Sequence, residues 1–181
     1  GLVSDTFDRI TLSRLPGRTA IGHVRYSTAG SSELRNAQPF VFEYAGGSLA
    51  IAHNGNLVNA EELREKLERR GSIFQSTSDT EVIAALIANH ESGNLGDAVS
   101  DTMQRIEGAF AAVVLSEHAV AGFRDPDGIR PLVVGRVDDS WVLASETCAL
   151  DIIGASVERE LAPGELVVLD EGWDAQELFG G

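Results

Sequence analysis

The sequence predicts an α+β domain in which antiparallel sheets stack face to face with helices on their outer sides. Three observations indicate this class. Short strand-like runs occur early in the chain, a helical stretch occupies about 59–106, and strand-length apolar runs separated by turn signals fill the remainder. Because strands and helices come in separate blocks rather than in alternation, antiparallel sheets covered by helices are favoured over a parallel α/β sheet.

The composition argues against two classes of protein, those that bind nucleic acid and those that span a membrane. The chain has 181 residues, enough for one domain with a real core and too few for two. A net charge of −14 argues against a nucleic-acid surface, which needs clustered Lys and Arg. No apolar run reaches the roughly 18 residues of a membrane helix. We therefore expect a cytoplasmic protein that binds neither nucleic acid nor membranes.

Cysteine and histidine usage makes a metal site unexpected. The single cysteine, Cys148, excludes a disulfide framework and any multi-cysteine metal site. The four histidines lack the close spacing that metal ligation favours.

Two strands are predicted in the first third of the chain. Residues 19–26 are rich in β-forming residues and lead into a loop of Ser, Thr and Gly. Residues 48–53 form the second strand, which runs into Asn54-Gly55, a dipeptide typical of a turn.

Three helices are predicted to follow. Asn59 and Glu62 form a capping-box pattern at the start of the first, and Ser78 and Glu81 repeat that pattern at the second. The third helix is predicted over about 95–106, where apolar residues recur at helical spacing.

Strands are predicted over most of the remaining chain. The apolar run AFAAVVLS at 109–116 has the length of a buried strand, and four more runs follow it: AVAGFRD, PLVVGRV, WVLAS and ELVVLD. Turn sequences separate them, and a short helix is predicted at 146–152.

The first candidate site is HNGN at 53–56. It lies where a strand is predicted to give way to a helix, and backbone N–H groups are unpaired at such junctions. The side-chain amide of Asn54 and the backbone N–H of Gly55 would provide two fixed donors for an oxyanion hole. An ordinary Asn-Gly turn also explains the dipeptide.

Two further segments carry groups that suit an amino-acid ligand. Arg25 and Tyr26 precede the hydroxyls of Ser27 and Thr28, and an arginine fork beside hydroxyls suits a carboxylate. Asp79, in the first turn of the second predicted helix, would hold a cationic amine. The alternatives are a surface arginine on an edge strand and an acid that stabilises the helix dipole.

These groups together match an amino acid whose side-chain carbonyl is attacked, but they include no nucleophile. Cys148 lies in SETCALD with no obvious base beside it. We interpret it as a buried structural thiol.

Five segments make the sequence recognisable: GHVRYSTAGSSELRNAQPF, IAHNGNLVNAEELR, STSDTEVI, RDPDGIRPLVVGR and WVLASETCALD. In this order they resemble the glutaminase domain of the glutamine phosphoribosylpyrophosphate amidotransferases, which are class II glutamine amidotransferases. The likeness runs from about Ile21 to about Asp170. The hexosephosphate aminotransferases typically read HTRWATHG and HNGIIEN where this chain reads HVRYSTAG and HNGNLVN.

The resemblance implies a four-layer αββα sandwich of the N-terminal-nucleophile type. It also implies that glutamine is hydrolysed by a cysteine that begins the mature chain, whose own α-amino group acts as the base. The ammonia would pass to a second domain and form phosphoribosylamine from phosphoribosyl pyrophosphate, in purine synthesis.

By motif position, the resemblance assigns the glutamine carboxylate to Arg25 and Thr28, with Tyr26 packing nearby. It assigns the α-amino group to Asp79 and the oxyanion hole to Asn54 and Gly55.

The resemblance implies partners as well. These are glutamine, phosphoribosyl pyrophosphate and, for the full-length protein, further copies of itself in a homo-oligomer. No cofactor is implied for this domain. Mg²⁺ would serve the phosphoribosyltransferase domain, and an iron–sulfur cluster stays an open question.

The ends of the chain depart from the family pattern. The sequence begins at Gly1 without the leading Cys-Gly-Ile segment of the family, and it ends at Gly181 before any phosphoribosyltransferase sequence. We expect residues 1–181 to form a partial glutaminase domain that lacks its first strands and has no glutaminase activity by itself. The rival functions are the glutaminase domain of a hexosephosphate aminotransferase and a non-catalytic amino-acid-binding module.

Overall fold

The computed structural model describes residues 6–24, 36–170 and 176–178. In chain order the helices are α1 (Arg9–Ser13), α2 (Ala60–Glu68), α3 (Asp79–Ala88), α4 (Leu95–Met103) and α5 (Thr147–Ile153). The strands are β1 (Phe40–Tyr44), β2 (Gly47–Leu57), β3 (Gly108–Leu115), β4 (Ala119–Arg124), β5 (Val133–Val137), β6 (Ser140–Ala144), β7 (Ser156–Glu160), β8 (Leu166–Asp170) and β9 (Gln176–Leu178).

The strands form two antiparallel sheets. The larger has the order β1-β2-β3-β4-β8-β9, and the smaller has the order β6-β5-β7. Short connections join most neighbours, as expected for antiparallel pairing.

Three apolar clusters show how the layers stack. The largest lies between helices α2–α4 and the larger sheet and includes Leu49, Ile51, Val82, Ile83, Phe110 and Phe123. A second fills the space between the sheets and includes Ala111, Leu132, Val134, Leu161 and Val167. A third joins the smaller sheet to α5 through Val133, Leu150 and Ala155. The predicted four-layer αββα arrangement of antiparallel sheets is therefore confirmed.

Strand alternation explains how adjacent residues serve different layers. In β3, Phe110 is buried on the helix side, and the next residue, Ala111, is buried between the sheets. A strand buried on both faces reads as a continuous apolar run, which is the pattern of AFAAVVLS.

The predicted turn at Asn54-Gly55 is wrong, because β2 continues through both residues to Leu57 and stays paired with β3. Gly55 has φ +139°, and a Cβ atom there would lie 2.0 Å from the carbonyl oxygen of Ala109. The glycine is thus required by close approach of two strands within a ladder and by a backbone angle that other residues rarely adopt.

Two other local predictions differ from the structure. Residues 19–24 lie outside any strand, and 25–26 fall outside the described residues. Asn59 occupies the N-cap position of α2, but its side chain bonds the carbonyl of Arg105 and the N–H of Glu107 instead of the helix. It therefore ties the start of α2 to the segment that follows α4.

Within the described ranges, no helix has both the length and the apolar character needed to cross a membrane.

Candidate active site

Asp79 is the first residue of α3, and the segment before it is held by buried polar contacts. Ser78 caps the helix by accepting a hydrogen bond from the N–H of Thr80 at 3.3 Å. Glu81 is buried and accepts hydrogen bonds from the N–H and the hydroxyl of Ser76, at 2.8 and 2.6 Å. The predicted cap at Ser78 is present, whereas Glu81 bonds the preceding loop rather than the cap residue.

Arg64 of α2 fixes the same segment from the other side. Its guanidinium donates to the carbonyl of Ser76 at 3.1 Å and to that of Ser78 at 2.9 Å. It also lies 4.1 Å from the centre of the Phe74 ring, a cation–π geometry. The N-terminus of α3 therefore has a defined position relative to α2.

The carboxylate of Asp79 contacts β2 at two residues. One oxygen, Oδ2, accepts a hydrogen bond from the backbone N–H of Leu57 at 2.9 Å. The other, Oδ1, lies 3.5 Å from Nδ1 of His53. These partners lie on either side of Asn54 and Gly55, so the start of α3 is joined to β2 across those two residues. The side chain of Asp79 is 20% exposed, which leaves part of the carboxylate accessible from solvent.

The surroundings of Asp79 favour its charged form. Burial alone raises the pKa of Asp79, but Nδ1 of His53, 3.5 Å from Oδ1, and the backbone N–H groups of Leu57 and Thr80 outweigh burial. The pKa of this carboxyl therefore lies below its ordinary value. A negative charge that is held in place and partly open to solvent suits a cationic amine.

His53 is buried beneath this carboxylate, with 1% of its side chain exposed. Nδ1 lies 3.2 Å from the hydroxyl of Thr80. The backbone N–H of His53 donates to the side-chain oxygen of Gln38 at 2.7 Å. Nε2 is also buried and has no hydrogen-bond partner among the described residues.

Asn54 and Gly55 face the same cleft as Asp79. The side chain of Asn54 is exposed, and Asn54, Gly55 and Asp79 all line one open cleft. The N–H groups of His53 and Leu57 point away from β3, since their acceptors are Gln38 and Asp79. Because this direction alternates along an antiparallel strand, the N–H of Gly55 is expected on that same edge.

Asp125 supports the strand that pairs with Gly55. Its buried carboxylate accepts four backbone N–H groups, those of Phe110, Asp127, Ile129 and Arg130. Burial raises the pKa of Asp125, but these hydrogen bonds outweigh burial and lower it below the ordinary value. Phe110 is the direct partner of Gly55 in the ladder, so the RDPDG loop is anchored opposite the candidate oxyanion hole.

Comparison with known proteins supports one family. The family model for the glutamine amidotransferase domain matches residues 23–151. The chain belongs to this family. The match includes Asn54, Gly55 and Asp79.

Relatives that this glutamine amidotransferase domain matches over most of its length are amidophosphoribosyltransferases. Amidophosphoribosyltransferase of Bacillus subtilis is 46% identical over 180 residues, which cover 98% of this chain and 38% of that protein. The chloroplastic amidophosphoribosyltransferase of Glycine max is 52% identical over 172 residues, covering 94% of this chain and 30% of that protein. The chain thus spans about a third of the length of these relatives.

Solved structures agree in fold. Glutamine phosphoribosylpyrophosphate amidotransferase from B. subtilis, in complex with ADP and GMP, superposes with a TM-score of 0.78 at 42% identity. The alignment covers 86% of this chain and 34% of that one. An allosteric regulatory enzyme of purine biosynthesis gives a TM-score of 0.80 at 44% identity, with the same coverage of both chains.

The structure brings together only some of the predicted site residues of the glutamine amidotransferase domain. Asn54, Gly55 and Asp79 lie at one cleft. Arg25, Tyr26 and Thr28 lie outside the described residues.

Cys148 differs from its predicted setting, because it is exposed rather than buried. It lies in the first turn of α5, with its sulfur 3.4 Å from a carboxylate oxygen of Glu146. That hydrogen bond and the neighbouring charge raise the pKa of the Cys148 thiol. A raised pKa reduces the thiolate that nucleophilic attack requires, so this environment does not activate the thiol.

Sequence reasoning missed His53, Gln38, Thr80 and Asp125. His53 was visible as part of HNGN, but its burial beneath Asp79 depends on the pairing of β2 with the larger sheet. Asp125 lies in a DPDG segment that reads simply as a turn, which gives no sign of its four backbone partners.

Proposed function

We propose that this domain binds glutamine and that the full-length protein hydrolyses its side-chain amide to release ammonia. The attachment of Asp79 to β2 on both sides of Asn54 and Gly55 carries this proposal. A carboxylate for the α-amino group and two donors for an oxyanion are thereby kept at a fixed separation within one cleft. Fixed separation selects an amino acid whose carbonyl lies several bonds from its α-carbon.

Each group has a defined part in the proposed reaction. Asp79 holds the α-amino group, while Arg25 and Thr28, with Tyr26 beside them, hold the α-carboxylate as the family motif implies. A thiolate attacks the amide carbon, and the carbonyl oxygen becomes an oxyanion that the Asn54 amide and the Gly55 N–H stabilise. As this intermediate collapses, the base that deprotonated the thiol returns its proton to the amide nitrogen, the C–N bond breaks and ammonia leaves. Water then hydrolyses the remaining acyl-enzyme to glutamate and frees the thiol.

The nucleophile of the proposed reaction is the leading cysteine of the family's opening segment. Residues 1–181 contain one cysteine, Cys148, and the adjacent Glu146 disfavours its thiolate. The α-amino group of the leading cysteine would act as the base. Residues 1–181 alone should therefore release no glutamate.

In the full-length protein we propose that the ammonia displaces pyrophosphate from phosphoribosyl pyrophosphate and forms phosphoribosylamine. The amidophosphoribosyltransferase relatives support this acceptor. A phosphoribosyltransferase domain that uses Mg²⁺, a homo-oligomeric state and a cytoplasmic location belong to the same proposal. The glutaminase chemistry itself requires no cofactor in this scheme.

This function is tested by incubating the full-length protein with glutamine that carries ¹⁵N in its side-chain amide. We expect glutamate to appear, and pyrophosphate to be released when phosphoribosyl pyrophosphate is present. Cys148→Ser should leave both products unchanged. Transfer of the label to fructose 6-phosphate would instead support a hexosephosphate aminotransferase, and glutamine binding without glutamate release would support a binding module.

A further inference from the structure

The imidazole of His53 is buried, yet its Nδ1 lies against two polar groups, the carboxylate of Asp79 and the hydroxyl of Thr80. We infer that His53 is a positioning residue: by fixing the carboxylate of Asp79, it makes the site selective for substrates that carry an α-amino group. This inference rests on the proposed function, in which Asp79 binds that amino group.

Two residues of β2 contact the Asp79 carboxylate, in addition to the backbone N–H of the neighbouring Thr80. The N–H of Leu57 fixes Oδ2 at 2.9 Å, and this contact by itself does not hold Oδ1 against β2. Nδ1 of His53, 3.5 Å from Oδ1, supplies the second constraint. The imidazole itself is held by burial, since 1% of its side chain is exposed. A buried ring on a central strand can fix a partly exposed carboxylate because the ring has little room to move.

The environment of the two ring nitrogens selects the useful tautomer. Nε2 is buried and has no partner among the described residues, while Nδ1 faces Asp79 and the hydroxyl of Thr80. An ionised carboxylate can only accept hydrogen bonds, so the ring nitrogen that faces Asp79 carries a proton. Nδ1–H then points at the carboxylate and the hydroxyl, as positioning requires.

Orientation of the carboxylate matters for the amine. A carboxylate offers about four lone-pair sites, and the contacts with Leu57 and His53 use those that face β2. The remaining sites then face the cleft, where an ammonium group can reach them. If the carboxylate rotated, a substrate with an α-amino group would lose affinity, and an analogue without that group would not.

Two variants of His53 test this inference, because both carry an amide but place its nitrogen at different positions of the original ring. The amide nitrogen of asparagine superposes on Nδ1 of histidine, whereas that of glutamine reaches the position of Nε2. In full-length protein, the ratio of kcat/KM for L-glutamine to kcat/KM for glutaramic acid, which is glutamine without its α-amino group, reports selectivity. His53→Asn should keep this ratio within about threefold of wild type, and His53→Gln should lower it by about tenfold or more, as expected when a polar contact with a charged group is lost.

Thr80→Val is the control for the other neighbour of Nδ1 and should leave the ratio within about threefold. Crystal structures of His53→Asn and His53→Gln give a readout independent of activity. The Asp79 carboxylate should keep its contact with Leu57 and its orientation in the first, and should rotate in the second.

The inference is overturned if Asp79 keeps one orientation in both variants, or if His53→Gln reduces kcat/KM for both substrates equally. If wild-type protein shows no preference for L-glutamine over glutaramic acid, the proposed amine site at Asp79 fails instead. The two crystal structures then still decide whether His53 positions the carboxylate.

Discussion

Oδ1 of Asp79 lies 3.5 Å from Nδ1 of His53, and the other carboxylate oxygen accepts the backbone N–H of Leu57 at 2.9 Å. Asp79 begins α3, and both partners belong to β2. One carboxylate therefore joins a helix N-terminus to a strand on both sides of Asn54 and Gly55. This arrangement couples the position of the proposed amine site to that of the proposed oxyanion hole.

Replacing Asn54 with alanine should affect turnover more than binding. Its amide would interact with negative charge that develops only during attack, so in full-length protein Asn54→Ala should lower kcat by about 10²–10³-fold with little change in KM. Steady-state measurement of glutamate release checks this. Asn56, two residues on and also exposed, provides the matched control, and Asn56→Ala should change kcat by less than about threefold. An equal loss in the two variants would contradict the role of Asn54.

Asp79→Asn should reduce the use of glutamine selectively. The variant keeps an acceptor for the Leu57 N–H but removes the charge that would bind the α-amino group. We expect kcat/KM for L-glutamine to fall by about 10–100-fold, while kcat/KM for glutaramic acid changes little. Asp97 also lies in the first turn of a helix, so Asp97→Asn is the control for the effect of a helix-terminal charge. Equal losses with both substrates would argue for a structural role of Asp79 alone.

Gly55→Ala should destabilise the domain. The added Cβ would lie 2.0 Å from the carbonyl oxygen of Ala109, at a φ of +139° that alanine rarely adopts. The free energy of unfolding in urea should fall by about 3 kcal/mol or more, since β2 must move away from β3. Gly93→Ala, where an added Cβ would meet no atom within 4 Å, should change it by less than about 0.5 kcal/mol. Equal stability of the two variants would contradict the observed pairing.

Asp125 should make the free energy of unfolding depend on pH in the acid range. A carboxyl whose pKa is lowered on folding stabilises the folded state above the ordinary aspartate pKa of about 4, and this contribution is lost as pH falls toward the lowered pKa. Asp125→Asn should therefore reduce the loss of stability between about pH 5 and pH 2. Urea unfolding at several pH values measures this change. Some loss of stability in acid should remain in this variant, because the pKa values of Asp79 and Glu165 are also lowered.

At neutral pH the same variant should be about 2–5 kcal/mol less stable, because an amide group cannot accept all four backbone N–H groups. Asp127→Asn, in the same loop but exposed, should have little effect at any pH. A wild-type-like pH profile for Asp125→Asn would contradict this account.

The layers of the fold could be predicted because burial leaves a strong pattern in the sequence. AFAAVVLS is apolar throughout since β3 is covered on both faces, and the predicted run 109–116 matches Gly108–Leu115. By contrast, SVERE of β7 was missed, because this edge strand of the smaller sheet is largely exposed and carries charged residues.

The site was less predictable because its contacts join distant parts of the chain. Asp79 was identified from its motif, but its bonds to β2 depend on how α3 packs on the larger sheet. Asn54-Gly55 was misread as a turn since the same residues favour turns and close strand pairing. Local sequence does not distinguish those two uses of glycine, whereas the register with Phe110 does.

The most direct test of the site is a crystal structure of the full-length protein with L-glutamine bound and its nucleophilic cysteine replaced by alanine. The α-amino nitrogen should lie about 3 Å from the Asp79 carboxylate. The side-chain carbonyl oxygen should face the Asn54 amide and the Gly55 N–H. Glutamine bound away from this cleft, or bound there with its α-amino group turned away from Asp79, would contradict the account.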